Sequence, residues 1–176
     1  GLGDVYKRQG CVANTNAHRV IPTPSSPGGL DPKQHISIAR ALSDVGYNTG
    51  MSGKWHLGIN ADKQDRRFTP NAHGYHTYLG SPWTNAPMCA ADADGFSTKV
   101  ATGPTFCFLA ANDTVVQMPL AIENFTGAIT RHAIDFIDRQ NRGGAPFYFL
   151  MSYFHVHTPL FTNRTNRGRS AGGEFG

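Results

Sequence analysis

Two short segments concentrate the side chains that could do chemistry. One is Gly50-Met51-Ser52-Gly53-Lys54-Trp55-His56-Leu57-Gly58, and the other is Tyr153-Phe154-His155-Val156-His157-Thr158-Pro159. A lysine supplies a compact positive charge, and an imidazole supplies a directional proton that can move near neutral pH. Lys54, His56 and His157 converging on one point would suit a tetrahedral oxyanion. His155 and His157 are alternate residues, so on an extended segment they share a face and could hold a metal instead. No nearby carboxylate or third histidine completes such a set. Histidines buried for purely structural reasons are the third option, and spacing alone leaves all three open.

The surrounding pattern says what must position these groups. Residues 35–45 place Ile38, Ala39, Leu42 and Val45 on one stripe, which predicts an amphipathic helix with Gly46 at its C-terminal end. Residues 47–52 predict a short strand closed by Gly53. Residues 126–141 predict a second helix, with Thr126 as N-cap and with Ile129, Ala133, Phe136, Ile137 and Gln140 on one side. Gly143-Gly144 ends it. The nearly unbroken apolar run 147–154 predicts a central strand covered on both faces. Helix followed by strand occurs twice, which is α/β grammar, and each strand leads into a histidine-bearing loop. In open α/β sheets, sites gather beyond the carboxyl ends of the strands. Residues 14–32 and 59–94 show no periodicity and are expected to be loop-rich.

Composition sets the outer bounds. The chain has 176 residues, of which 39% are hydrophobic and 16% charged, and it holds 20 glycines and 11 prolines. That is enough apolar material for a core, and the charged share is below the ~25% of ordinary globular chains. No apolar run approaches the ~18 residues of a membrane-spanning helix. The formal charge of +4 is scattered except at Arg164, Arg167 and Arg169. No aromatic platform interleaves with those arginines, which argues against a nucleic-acid groove. Residues 1–9 lack periodicity and resemble translated adaptor sequence, so they are expected to be a non-native leader, with 10–176 the native segment.

The motif Gly46-Tyr47-Asn48-Thr49-Gly50-Met51-Ser52-Gly53-Lys54-Trp55-His56-Leu57-Gly58 resembles the second signature of the sulfatases. Pro24-Ser25-Ser26 and Gly28-Gly29-Leu30 upstream keep the same family's order. So do His73-Gly74-Tyr75, Leu79-Gly80-Ser81-Pro82, and Pro146-Phe147 leading to His155-Val156-His157. About 140 residues are similar to the type I, formylglycine-dependent sulfatases, and above all to the arylsulfatase A-like lysosomal members. The resemblance implies an α/β, alkaline-phosphatase-like catalytic domain, a mostly parallel central sheet with helices on both faces, of which this chain is an internal part.

It also implies a sulfuric ester hydrolase acting on sulfate monoesters, and it implies roles. Lys54 would bind the sulfate. His56 would be the base that expels sulfate from the covalent intermediate, and His157 would give a proton to the leaving-group oxygen. Thr84 would be a further sulfate contact, and His155 would be a packing or supporting residue. The family's nucleophile is the hydrate of a formylglycine made from the cysteine of Cys-x-Pro/Ala-x-Arg. Cys11-Val12-Ala13-Asn14-Thr15 has Thr15 in the arginine place, so Cys11 is not that residue. The family's calcium ligands have no counterpart in this span either. Formylglycine, Ca2+ and the contact with a formylglycine-generating enzyme are therefore expected to belong to sequence outside it, and this piece alone is expected to hydrolyse nothing. The implied substrates are small sulfate esters, sulfolipids or sulfated glycans, and the full-length protein could be a homo-oligomer. The alternative is an inactive pseudo-sulfatase that binds sulfated glycans.

The resemblance further implies a disulfide between Cys89 and Cys107, which would contribute ~3 kcal/mol on the loop-entropy model; two free thiols are the other possibility. Sequons stand at Asn112-Asp113-Thr114, Asn124-Phe125-Thr126 and Asn163-Arg164-Thr165. Three such acceptors beside a disulfide favour the secretory pathway, with a lysosomal or secreted destination.

Overall fold

The computed structural model describes residues 29–58, 66–82, 108–118, 120–157 and 162–172. Five strands form one sheet: β1 (Asn48–Lys54), β2 (Thr77–Ser81), β3 (Leu109–Ala111), β4 (Thr114–Gln117) and β5 (Phe147–Ser152). Their order is β4-β3-β2-β1-β5. The three strands β2, β1 and β5 run parallel, β3 is antiparallel to β2, and β4 is antiparallel to β3. The expected α/β class is borne out, and the described sheet is mixed, with parallel strands β2, β1 and β5 and an antiparallel pair at one edge.

Two helices lie on opposite faces of β1. The first, α1 (Ile38–Ser43), is capped by Ser37, whose hydroxyl accepts from the Arg40 N–H. It buries Ala39 against Met51, Trp55, Tyr75 and Tyr78. Asn48, Gly50 and Ser52 alternate with Met51 along the strand, so they face the other way. That side is covered by α2 (Ile122–Gly143), which ends at Gly144 in the left-handed conformation that glycine tolerates. Its buried residues Phe125 and Ile129 pack with Leu120 and Phe154.

Several expectations are corrected. The N-terminal helix is shorter than 35–45, because Ser37 caps it from within the predicted span, and Val45 is 71% exposed. The second helix begins at Ile122 after Ala121, four residues before Thr126, so Thr126 does not cap it. Its hydroxyl bonds the His155 ring instead, at 2.9 Å. Strand β1 passes through Gly53 and ends at Lys54. Strand β5 is shorter than 147–154 and lies at the border of the described sheet, with Phe147 40% exposed, so it is not covered on both faces among the described residues. Finally, β2 lies inside the stretch expected to be loop. Leu79-Gly80-Ser81 has too little apolar alternation to announce a strand; pairing with β1 creates it.

Candidate active site

The parallel strands β1 and β5 point the same way, so both histidine-bearing segments emerge at one end of the sheet. Gly53 makes the close approach possible. Its φ is +105°, and a Cβ there would run into the Ser152 carbonyl of β5. Any other residue would push the two strand ends apart.

Beyond β1 the chain is fixed by its backbone. The Trp55 N–H donates to the Ser81 carbonyl at 3.2 Å and the His56 N–H to the Pro82 carbonyl at 2.9 Å. Trp55 turns into the core, where its indole N–H reaches the Phe68 carbonyl at 2.7 Å and the ring lies 5.0 Å from that of His73. With Trp55 turned inward, its neighbours Lys54 and His56 occupy the half-buried rim. His56 holds a φ of +61°, a left-handed conformation uncommon outside glycine. Such strain in a non-glycine residue persists where surrounding contacts impose it.

Burial pulls Lys54 below the usual lysine range. His56 is lowered further, to about 4, first by burial and then by the positive charges of Lys54 and His157. That repulsion places Lys54, His56 and His157 in one electrostatic neighbourhood. At neutral pH His56 is therefore an uncharged imidazole able to accept a proton. Its Nε2 is buried and has no hydrogen-bond partner among the described residues. A buried polar atom left without a partner is uncommon in a folded protein.

The segment after β5 is held differently. Phe154 is buried with its ring 4.7 Å from Phe125. The hydroxyls of Tyr153 and Thr130 lie 3.0 Å apart, and the His157 N–H donates to the Phe154 carbonyl at 3.0 Å. Tyr153, His155 and His157 themselves are exposed.

The Sulfatase family profile matches residues 6–174. The chain belongs to the sulfatase family. An arylsulfatase of Hemicentrotus pulcherrimus is 34% identical over 82% of this chain and 26% of its own length. Human arylsulfatase A is 31% identical over 89% of this chain and 31% of its own, and human steryl-sulfatase 28% identical over 86% and 35%. The sulfatase chain thus spans about a third of the curated relatives it matches. Among solved structures, the PsFucS1 sulfatase from Pseudoalteromonas sp. superposes with a TM-score of 0.61 at 18% identity, covering 80% of this chain and 30% of that one. The fold is the alkaline-phosphatase-like one, present here in part.

The sulfatase residues expected from sequence divide into three groups. Lys54, His56 and His157 lie within electrostatic reach of one another, and the ring of His155 is bonded to the Thr126 hydroxyl. Thr84, Cys89, Cys107 and Cys11 lie outside the described residues. Of the sequon asparagines, Asn124 and Asn163 are exposed, and the Asn163 Oδ1 accepts from the Asn166 N–H at 2.9 Å. Asn112 turns the β3–β4 hairpin at φ +52°, with its Oδ1 accepting from the Tyr78 N–H at 2.9 Å. The hydroxyl of Tyr78, itself a buried residue, donates to the Gly53 carbonyl at 3.0 Å.

Among the described residues no three histidines, cysteines or carboxylates gather to hold a metal. The rim is built of an ammonium group and imidazoles, whereas calcium takes oxygen ligands. These residues do not fit a calcium site, and no role for calcium is derived from them. No helix among the described residues is long and apolar enough to cross a membrane.

Sequence reasoning missed His132, Thr130 and Tyr153 as partners of this rim. The signal for His132 was present: it lies four residues before Phe136 and eight before Gln140, a polar member of the buried row on α2.

Proposed function

We propose that the protein containing this chain hydrolyses sulfate monoesters to an alcohol and sulfate, and that residues 10–176 are an internal part of its catalytic domain. What carries the proposal is the His56 Nε2, buried, neutral and without a partner among the described residues, in the neighbourhood of Lys54 and His157. A bound sulfate group supplies what that site lacks. Its negative charge sits against Lys54 and offsets the repulsion that keeps His56 unprotonated. His56 then takes up a proton as the base, and His157, reachable from solvent, gives one to the departing oxygen. Thr84 is a further sulfate contact. The nucleophile is the hydrate of a formylglycine in another part of the full-length protein, where a formylglycine-generating enzyme installs the residue, and a Ca2+ site belongs there too.

The substrates proposed are aryl sulfates, sulfolipids or sulfated glycans, and the full-length protein is proposed to be a homo-oligomer. The Cys89–Cys107 bridge and glycans at Asn112, Asn124 and Asn163 go with passage through the secretory pathway to a lysosomal or secreted destination. No observation favours the binding-only alternative. The test is turnover of an aryl sulfate by the full-length protein, wild type against His56→Ala. We expect hydrolysis by the wild type and a loss of about 10²–10³-fold in the variant. Equal rates in both would overturn the assignment of His56.

A further inference from the structure

Helix α2 meets strand β1 in a regular row. The Asn48 side-chain amide donates to Gln140 Oε1 at 2.6 Å, Phe136 fills the space in front of Gly50, and the Ser52 hydroxyl lies 2.7 Å from His132 Nδ1. Each step is two residues on the strand and four on the helix, and Lys54 is the next strand position on the same face. His132 does more than its neighbours in the row. Its other nitrogen, Nε2, lies 3.0 Å from the Thr77 hydroxyl on β2. One imidazole thus ties a helix to two adjacent parallel strands, two residues before Lys54. Both ring nitrogens are occupied, one donating and one accepting, because each hydroxyl can rotate to either role. The ring of Phe149 on β5 packs 6.1 Å from it.

The same helix holds the other half of the rim. Thr130 and Thr126, nearer its N-terminus, bond Tyr153 and His155 on either side of Phe154. Helix α2 thus carries polar ties to both histidine segments on this face of the sheet, and His132 is its tie to the segment that carries Lys54 and His56.

We infer that His132 is a positioning residue for the site: by bridging Ser52 and Thr77 it fixes the end of β1 relative to α2, and so the distance from Lys54 and His56 to His157. This rests on the proposed sulfatase activity for its kinetic consequence, but its geometric consequence stands without it. It assigns work to a histidine that touches no substrate.

The experiment uses the full-length protein with His132→Phe, which keeps the ring and removes both bonds. Ser52→Ala and Thr77→Val remove one bond each and cover the case in which His132→Phe does not fold. Asn48→Ala is the control, because it breaks the far end of the same row. For an aryl sulfate we expect His132→Phe to lower kcat about 10-fold or more with little change in KM. His132→Asn, which keeps one partner, should recover part of the loss. Ser52→Ala should add nothing to His132→Phe in the double variant. Asn48→Ala should lower thermal stability without this kinetic change. A second readout needs no turnover: the NMR titration of His56, which should move up from about 4 in His132→Phe as Lys54 and His157 lose their fixed places. If the wild type shows no turnover, the activity fails but this titration still decides the positioning role. Unchanged kcat and an unchanged His56 titration in folded His132→Phe, or an equal loss of kcat in Asn48→Ala, would overturn it.

Discussion

The two strand exits that form the rim are built on opposite plans. After β1 the chain is held by main-chain bonds, Trp55 to Ser81, His56 to Pro82, and Leu30 to Leu57. After β5 most of the ties are side-chain hydroxyls, Thr130 to Tyr153 and Thr126 to His155, around one buried phenylalanine. The first exit places Lys54 and His56 as rigidly as the sheet itself. The second leaves His157 on a segment whose neighbour Val156 is 87% exposed. The difference suits the proposed chemistry. The group that senses the anion must be preorganised, whereas the proton donor to a variable leaving group can tolerate adjustment.

The largest expected effect comes from removing the charge at the rigid exit. Lys54→Ala in the full-length protein should lower kcat/KM for an aryl sulfate by about 10²–10³-fold. A loss smaller than that of a Tyr153 variant would reverse the proposed division of labour. Next comes Gly53→Ala. It forces a side chain onto the Ser152 carbonyl at a positive φ, and we expect destabilisation of about 3 kcal/mol or more. Thermal unfolding would read this as a fall of several degrees, and an unshifted midpoint would mean the exits are not locked together there.

How much of this was legible in the sequence follows the same division. The helix–strand alternation could be read because Ile129 and Phe136 recur at helical spacing and the Phe147 run is apolar. The motif carrying Lys54 and His56 could be read because its residues are contiguous. Strand β2 could not be read, since Thr77 and Gly80 become a strand only by pairing with β1. Nor could the ties of Thr126 and His132, which join positions 29 and 80 residues apart in the chain. Sequence periodicity reports which face of an element is buried. It is silent about which polar group waits on the far side.

Smaller effects test the second exit. Tyr153→Phe removes one exposed hydroxyl pair and should cost about 0.5–1 kcal/mol or less, visible in denaturant unfolding with kcat nearly unchanged. A kcat loss as large as that of His132→Phe would show that the second exit is as tightly set as the first. A pH effect returns to the first exit. Because the folded His56 titrates near 4 and the unfolded one near 6.5, the unfolded state binds the extra proton between those values. Stability should thus be full above about 6.5, decline as the pH falls towards 4, and then level off as far as this group is concerned. His56→Gln should flatten that decline without abolishing folding, and saturating sulfate, which raises the folded His56 towards its unfolded value, should shrink it.

The row between α2 and β1 works like a vernier with two pitches. Four helical residues advance ~6.0 Å, while two strand residues advance ~6.6 Å. Side-chain reach absorbs the difference at the two hydrogen-bonded marks, Asn48 to Gln140 at 2.6 Å and Ser52 to His132 at 2.7 Å. By the time the strand reaches Lys54 it is ahead of the helix by about 2 Å. An insertion of even one residue in α2 between His132 and Gln140 would reset this scale, turning a different helical face to Ser52. Lengthening that helix is thus forbidden in a way that lengthening the loops around it is not.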